Sequence, residues 1–104
     1  MILVSVVKEK NSIKSLTITG HAFRGDPGYD LVCAAVSSMA TGALNGLDQL
    51  SSGCTLYLDE SPKIEIICQS VNKVNQLLLE FLLVQLKTVE EVEKEAIKIE
   101  EEFQ

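Results

Sequence analysis

The sequence is poor in positive charge: nine Lys and Arg residues stand against 15 Asp and Glu residues, and the formal net charge is −6. No stretch is rich enough in Lys or Arg to reverse this balance locally. A chain of this charge repels an extended phosphate backbone. We therefore expect no direct contact with nucleic acid.

The sequence also lacks the features of a targeting or membrane segment. Residues 1–10 form a short apolar run with neither a basic leader nor a small-residue cleavage site. We expect no signal peptide and no membrane span, and take a cytoplasmic location as the default. With 46% hydrophobic residues and no linker-like stretch, residues 1–104 are predicted to form a single domain around one core.

Cysteine is scarce, and the three cysteines include no CxxC pair. An odd number without such spacing does not make a disulfide framework. Cys33, Cys54, Cys68 and His21 have the donor atoms of a zinc site, but structural zinc sites take two ligands from one tight turn, and no two of these residues are close in sequence. We expect no metal and no cofactor, and predict that Cys54 and Cys68 are small core residues.

Hydrophobic periodicity divides the chain into strands and helices. Alternating β-branched residues predict strands, and apolar residues at three-and-four spacing predict helices. The predicted fold class is α+β, a two-layer domain with a largely antiparallel sheet and two helices in the order β-β-α-β-β-α-β. The predicted strands span 1–7, 13–19, 54–58, 63–69 and 96–102, and the predicted helices span 31–48 and 72–88, with a helical period that continues to about 95.

The second predicted helix is apolar nearly all round. Its polar stripe contains Lys73, Gln76, Glu80 and Lys87, with Leu83 inside the stripe and Leu79 at its edge. In a two-layer domain these two leucines are expected to face solvent. Scattered surface leucines are common, but a subunit interface is the alternative, and we favour a homodimer.

The candidate chemistry lies around the only histidine. His21 follows the second predicted strand, and Cys33 lies near the start of the first predicted helix, for which Asp30 is the expected N-cap. A cysteine in the first helical turn meets the positive end of the helix dipole, which favours the thiolate. A nearby imidazolium lowers the thiol pKa and later protonates a leaving amine, as in a Cys/His dyad. The alternative is that both residues serve packing alone.

Three further residues have candidate roles near Cys33. Asp30 either caps the helix or turns to His21 and orients the imidazole, and the sequence leaves both open. Ser37 lies one turn after Cys33 and either lines the site or simply belongs to the polar stripe of the helix. Ala34 has little bulk to block a substrate backbone, and backbone N–H groups at the helix start are candidates to hold an oxyanion.

Residues 22–30 connect the histidine to the helix. They contain the breaker cluster Gly25-Asp26-Pro27-Gly28, which predicts a loop. Such a loop is either a surface connector or a lid that closes over a substrate.

These residues form a pattern with set spacing. The run Gly20-His21-Ala22, followed by Asp30-x-Val32-Cys33-Ala34-Ala35-x-Ser37, resembles the signature of the ribosomal-processing cysteine proteases, called Prp. The similarity extends to the order of elements over essentially the whole chain.

The resemblance implies a function. It implies a cytoplasmic, homodimeric cysteine endopeptidase that removes the N-terminal extension of the large-subunit ribosomal protein L-twenty-seven, cutting after an aromatic-aromatic-Ala sequence. It makes Cys33 the nucleophile and His21 the general base and acid. Gly20, Asp30 and Ser37 match further site positions of the family.

Two other functions use the same residues differently. In a non-catalytic ribosome-assembly module, Cys33 would be a packing residue at a helix start. In a thiol redox sensor, a low-pKa Cys33 would be oxidised reversibly, although the sequence offers no obvious resolving cysteine.

Overall fold

Five strands and two helices make up the described part of the chain. A computed structural model describes residues 1–20, 27–59 and 63–104, and for 27–30 it describes the backbone only. The predicted order of elements is confirmed. The elements are β1 (Ile2–Glu9), β2 (Ser12–Gly20), α1 (Pro27–Leu50), β3 (Cys54–Asp59), β4 (Lys63–Cys68), α2 (Lys73–Val92) and β5 (Ile97–Phe103).

The strands form one mixed sheet in the order β3-β4-β2-β1-β5. Neighbouring strands are antiparallel except β1 and β5, which run parallel. The turn from β1 to β2 consists of Lys10 and Asn11, both with positive φ, which matches the twist of a two-residue hairpin. The α+β class and the largely antiparallel sheet are therefore confirmed.

Both helices pack on one face of the sheet, where they also contact each other. The core between the layers contains alternate residues of the strands, such as Val4, Val6 and Leu16, together with the inner faces of the helices. Cys68 is part of this core, as predicted, and Cys54 is partly buried against it. In the described residues, neither helix is both long and apolar enough to cross a membrane.

Helix α1 begins four residues earlier than predicted, at Pro27 instead of Leu31. Proline suits the first position of a helix because the N–H it lacks would have no partner there. Asp30 therefore lies within the first turn, and its predicted role as N-cap is wrong. Cys33 lies in the second turn, so the prediction that it occupies the first turn is also wrong.

The orientation of α2 differs from the predicted one. Leu79 and Leu83, expected to face solvent, are 0% and 2% exposed. The polar stripe beside them faces the margin of the sheet, where it forms ion pairs. Lys8 Nζ in β1 lies 3.6 Å from Glu80 Oε1, and Lys87 Nζ in α2 lies 3.4 Å from Glu101 Oε1 in β5. A helix that is apolar all round has no pattern that sets its rotation, so these contacts set it.

Gln76 fixes α2 to the start of β2. Its Oε1 accepts a hydrogen bond from Ile13 N at 2.7 Å, and its Nε2 donates to Ile13 O at 2.9 Å. The pairing of β2 with β4 ends at Ser15, so the Gln76 amide takes the place of a neighbouring strand for Ile13. The side chain thereby satisfies backbone groups that would otherwise be buried without partners.

Asn75 joins α2 to the two turns that flank β3 and β4. Its fully buried Nδ2 donates to Ser52 O and to Ser70 O, each at 2.9 Å. Its Oδ1 accepts from Asn72 N at 3.1 Å, while the Asn72 side chain accepts from Asn75 N at 2.8 Å. This capping box closes the N-terminus of α2, and the Asn75 side chain ties that end of the helix to both turns.

We expect Asn75→Ala to lower the free energy of unfolding by about 2–4 kcal/mol, because it removes the Nδ2 donor to Ser70 O, one of the two donors to Ser52 O, and the acceptor of Asn72 N. Urea unfolding followed by circular dichroism measures the loss. Asn45→Ala, at an exposed position of α1, is the matched control and should change the free energy by less than about 0.5 kcal/mol. Equal effects of the two substitutions would contradict the role given to Asn75.

Candidate active site

A cavity of about 280 Å³ lies between α1 and one end of the sheet. Helix α1 contributes Cys33, Ser37 and Thr41, which follow one another at four-residue spacing and so share a face. Strand β2 contributes its last residue, Gly20. The structure thus brings together three of the predicted site residues, Gly20, Cys33 and Ser37.

The interior of this cleft is apolar. Ile18, Val36 and Ala40 form its buried floor, and Ile64 of β4 continues it. Leu58 of β3 stands at the side of the cleft, and although it lies on the helix-facing side of the sheet, it is 67% exposed. An apolar side chain left uncovered beside a cavity is available to a ligand.

The rim of the cleft is charged. Asp59 and Lys63 lie at its edge and are register partners at the end of the β3–β4 hairpin. The cleft therefore combines an apolar interior with polar groups at its mouth, which is the usual composition of a small-ligand or peptide site.

Gly20 has a conformation that other residues rarely adopt. Its φ is +83°, and a Cβ placed on it would lie 2.4 Å from the carbonyl oxygen of Met1. Glycine is therefore required where β2 ends, directly before His21 in the sequence. This is a structural reason for the glycine of the motif.

Cys33 is partly buried on the flank of α1 and packs against the core. None of the three cysteines is in a disulfide. Cys33 lies in the second helical turn, and Tyr29, four positions before it, is also helical. The N–H of Cys33 therefore has the carbonyl oxygen of Tyr29 as its intrahelical acceptor. This N–H is thus a poorer oxyanion donor than predicted.

The other predicted site residues are less closely tied to the cleft. Ala34 is exposed on α1 and is not among the residues that line the cavity. Asp30 belongs to α1 by its backbone, and its side chain is not described. His21 and residues 22–26 lie outside the described residues, so the predicted lid does too, apart from 27–30, which are helical.

Several lining residues were not predicted. Thr41 had a signal, since it shares the polar stripe of α1 with Ser37. Leu58 and Ile64 had none, because on a strand they are ordinary apolar residues, and only the end of the sheet beside α1 places them at a cavity. Within the described part of the chain, no group of three His, Cys, Asp or Glu side chains has a metal-binding arrangement.

Comparison with known proteins identifies the class. The profile of the family described as cysteine protease Prp matches residues 1–98. The ribosomal processing cysteine protease Prp of Staphylococcus aureus is 32% identical over 103 residues, covering 95% of this chain and 97% of that protein. That of Bacillus subtilis is 30% identical over 97 residues, covering 84% of each.

A solved structure agrees with these relatives. The crystal structure of the Staphylococcus aureus ribosomal processing protease Prp, in complex with a covalently linked product peptide, is 29% identical, has a TM-score of 0.87 and covers 100% of both chains. The fold and the cysteine-bearing cleft, together with these relatives, define a cysteine protease. The chain belongs to the ribosomal-processing cysteine protease family Prp.

We expect Gly20→Ala to lower the free energy of unfolding by about 1–3 kcal/mol, since the new methyl group meets the Met1 carbonyl at an unfavourable φ. Asn45→Ala is the control: it lies at an exposed position of α1 outside the cleft, so it should change the free energy of unfolding by less than about 0.5 kcal/mol. Urea unfolding of both variants measures each change, and a stabilising Gly20→Ala would refute the argument.

Proposed function

We propose that this protein removes the N-terminal extension of ribosomal protein L-twenty-seven, with Cys33 as nucleophile and His21 as general base and acid, and that it cuts after an aromatic-aromatic-Ala sequence. The observation that carries the proposal is the position of Cys33 at an apolar cleft in a chain of this family. The covalently linked peptide in the Staphylococcus aureus relative is consistent with a covalent intermediate. A ribosomal-protein substrate also suits a cytoplasmic location.

The chemistry follows the usual course of a cysteine peptidase. The Cys33 thiolate attacks the scissile carbonyl carbon, and His21 donates a proton to the leaving amine, which leaves an acyl group on sulfur as a thioester. His21 then takes a proton from water, and the water oxygen attacks the thioester, which releases the acid and regenerates the Cys33 thiolate beside a protonated His21. Gly20 lines the cleft and directly precedes His21 in the sequence, which supports the choice of His21 as the partner of Cys33.

The second-turn position of Cys33 affects how its thiolate is stabilised. The helix dipole acts chiefly within the first turn, so its effect on Cys33 is weaker than the sequence predicted. In the proposed dyad the imidazolium of His21 therefore supplies most of the stabilisation. Asp30 and Ser37 are supporting residues in this proposal, and Ala34 leaves space beside the cysteine.

We expect Cys33→Ala and His21→Ala each to reduce cleavage by at least about 10³-fold, because each removes one member of the dyad. The assay uses a synthetic peptide with the extension and its junction, and mass spectrometry locates the cut. Cys54→Ala is the matched control, since Cys54 is a partly buried cysteine outside the cleft, and it should cleave at the wild-type rate. Undiminished cleavage by Cys33→Ala would disprove the assignment.

The cleft has the length of a short extended peptide. Cys33 and Thr41 are eight residues apart on α1, which is about 12 Å along the helix axis. An extended peptide covers this distance in about three to four residues. The apolar floor and the uncovered Leu58 suit large apolar side chains next to the scissile bond, which agrees with an aromatic-rich substrate.

We expect Leu58→Ala to raise KM for the aromatic peptide about 3- to 30-fold with a small effect on kcat, because it removes one apolar wall of the cleft. Val92→Ala removes a similarly exposed apolar side chain that does not line the cleft, at the C-terminal end of α2, and should leave KM unchanged. Steady-state kinetics separates the two constants. A lower kcat at constant KM would place Leu58 outside the peptide-binding wall.

We also propose that the protein is a homodimer, through a surface other than Leu79 and Leu83. Val74, Leu77, Phe81 and Val84 are exposed along α2 at three-and-four spacing and form an apolar ridge. Beside the ridge, Ser38, Gly42 and Gly46 of α1 line a groove of about 370 Å³ whose walls carry no charged residue.

The ridge and the groove suit a symmetric interface. They lie side by side on one face, since Phe81 and Leu78 also line the groove. In a two-fold arrangement the ridge of each protomer can enter the groove of the other, and small residues let the helices approach closely. An uncharged face also lets two chains of net charge −6 meet without direct repulsion.

We expect the wild type to have twice the 11.4 kDa chain mass by light scattering at micromolar concentration, and Phe81→Glu to have the single-chain mass. A buried glutamate facing an apolar groove would make the dimer too costly. Phe103→Glu is the matched control, because Phe103 is similarly exposed, at the end of β5; this variant should remain dimeric. A monomeric wild type would rule out the dimer, and a dimeric Phe81→Glu would rule out this interface.

A further inference from the structure

Two cysteines that the proposed mechanism does not use lie opposite each other in the sheet. Cys54, the first residue of β3, pairs in register with Cys68, the last residue of β4. Both lie on the helix-facing side of the sheet, where Cys68 is 1% exposed and Cys54 is partly exposed. Neither is in a disulfide.

The type of strand pair brings their backbones close. Gln69 N donates to Gly53 O at 2.9 Å, so Gly53 and Gln69 form a hydrogen-bonded pair. Such pairs alternate along antiparallel strands with pairs that share no hydrogen bond, and Cys54 and Cys68 are the next pair. Residues in a pair of that kind have Cα atoms about 4.5 Å apart, within the range that a disulfide spans, about 4.4–6.8 Å.

The side chains are in contact as well. The Cys54 thiol is hydrogen-bonded to Cys68, and Gln76 Nε2 donates to Cys68 Sγ at 3.7 Å. Burial is the main cause that raises the pKa of Cys54, to about 12, with the hydrogen bond and the charge of Cys68 adding to it. Because thiolate is the reactive form, oxidation of this pair is slow near neutral pH and faster at higher pH.

We propose that Cys54 and Cys68 form a reversible cross-strand disulfide when the protein meets a small-molecule disulfide, and that this bond clamps the base of the β3–β4 hairpin. The inference does not rest on the proposed proteolysis. The clamp lies about 13 Å along β3 from Leu58 at the cleft. It therefore acts on the hairpin that forms one wall of the cleft, and the bond itself does not involve Cys33.

The oxidation proceeds in two exchanges. Cys54, the more accessible cysteine, attacks as thiolate one sulfur of the small disulfide and forms a mixed disulfide, releasing one small thiolate. Cys68 then loses its proton and attacks the Cys54 sulfur, which forms the Cys54–Cys68 bond and releases the second small thiolate. Two protein thiols are oxidised, one small disulfide is reduced, and the two protons pass to the released thiolates.

The test uses the Cys33→Ser variant, in which Cys54 and Cys68 are the only thiols, incubated with excess oxidised glutathione at pH 9. We expect an intact mass lower by two hydrogens, loss of both alkylatable thiols after unfolding, and recovery of both on reduction with dithiothreitol. Proteolytic digestion should yield a peptide pair joined through Cys54 and Cys68. The same digest of the wild type identifies the pair if Cys33→Ser does not fold.

The matched control is Cys33→Ser combined with Cys68→Ser. It retains only Cys54 and should gain one glutathione without a cross-link, as expected if Cys54 forms the mixed disulfide. The proposal is overturned if the folded Cys33→Ser variant keeps two alkylatable thiols. It is equally overturned if that variant carries only glutathione adducts, or if the cysteines join two chains instead of one.

Discussion

The packing of α2 on the sheet is the contact on which the rest of the structure depends. Leu79, Leu82, Leu83 and Leu86 are each at most 2% exposed, and each contributes about 2 kcal/mol of transfer free energy when removed from water. Gln76 and the ion pairs to Lys8 and Glu101 fix the rotation of the helix over this layer. Helix α2 contacts β2 and β5 and so covers one part of the sheet face. Helix α1 packs beside it, over the part of the face nearer β3.

The cleft follows from that arrangement. Helix α1 contacts β3 and α2, and a gap remains between its N-terminal half and the end of the sheet. Cys33 stands at this gap on the flank of the buried face, where a side chain is held by packing and still reaches a ligand. The backbone of Gly20 ends β2 at the same place, since only glycine fits against the Met1 carbonyl. The cleft thus lies at the edge of the packed core.

The early start of α1 affects how the Cys33 thiolate is stabilised. A cysteine in the first turn would combine the dipole with N–H groups that have no intrahelical partner, and both effects diminish by the second turn. In the proposed dyad, activation of Cys33 by the His21 imidazolium therefore gains importance relative to activation by the helix itself. The candidate residues of the motif are unchanged, but the helix start contributes less to stabilising the Cys33 thiolate than the sequence pattern predicts.

Sequence alone determined the order of elements, the α+β class and the motif around Cys33, because alternation, helical spacing and turn residues are local properties. It failed where local pattern carries no signal. The cluster around Pro27 predicts a loop, although proline also begins helices. No periodicity sets the rotation of a helix as apolar as α2, so the pattern wrongly predicts that Leu79 and Leu83 face solvent. Only the tertiary structure decided two features: the lining of the cleft by Leu58, Ile64 and Thr41, and the pairing of Cys54 with Cys68. Both depend on which strand ends and helix faces meet across the sheet.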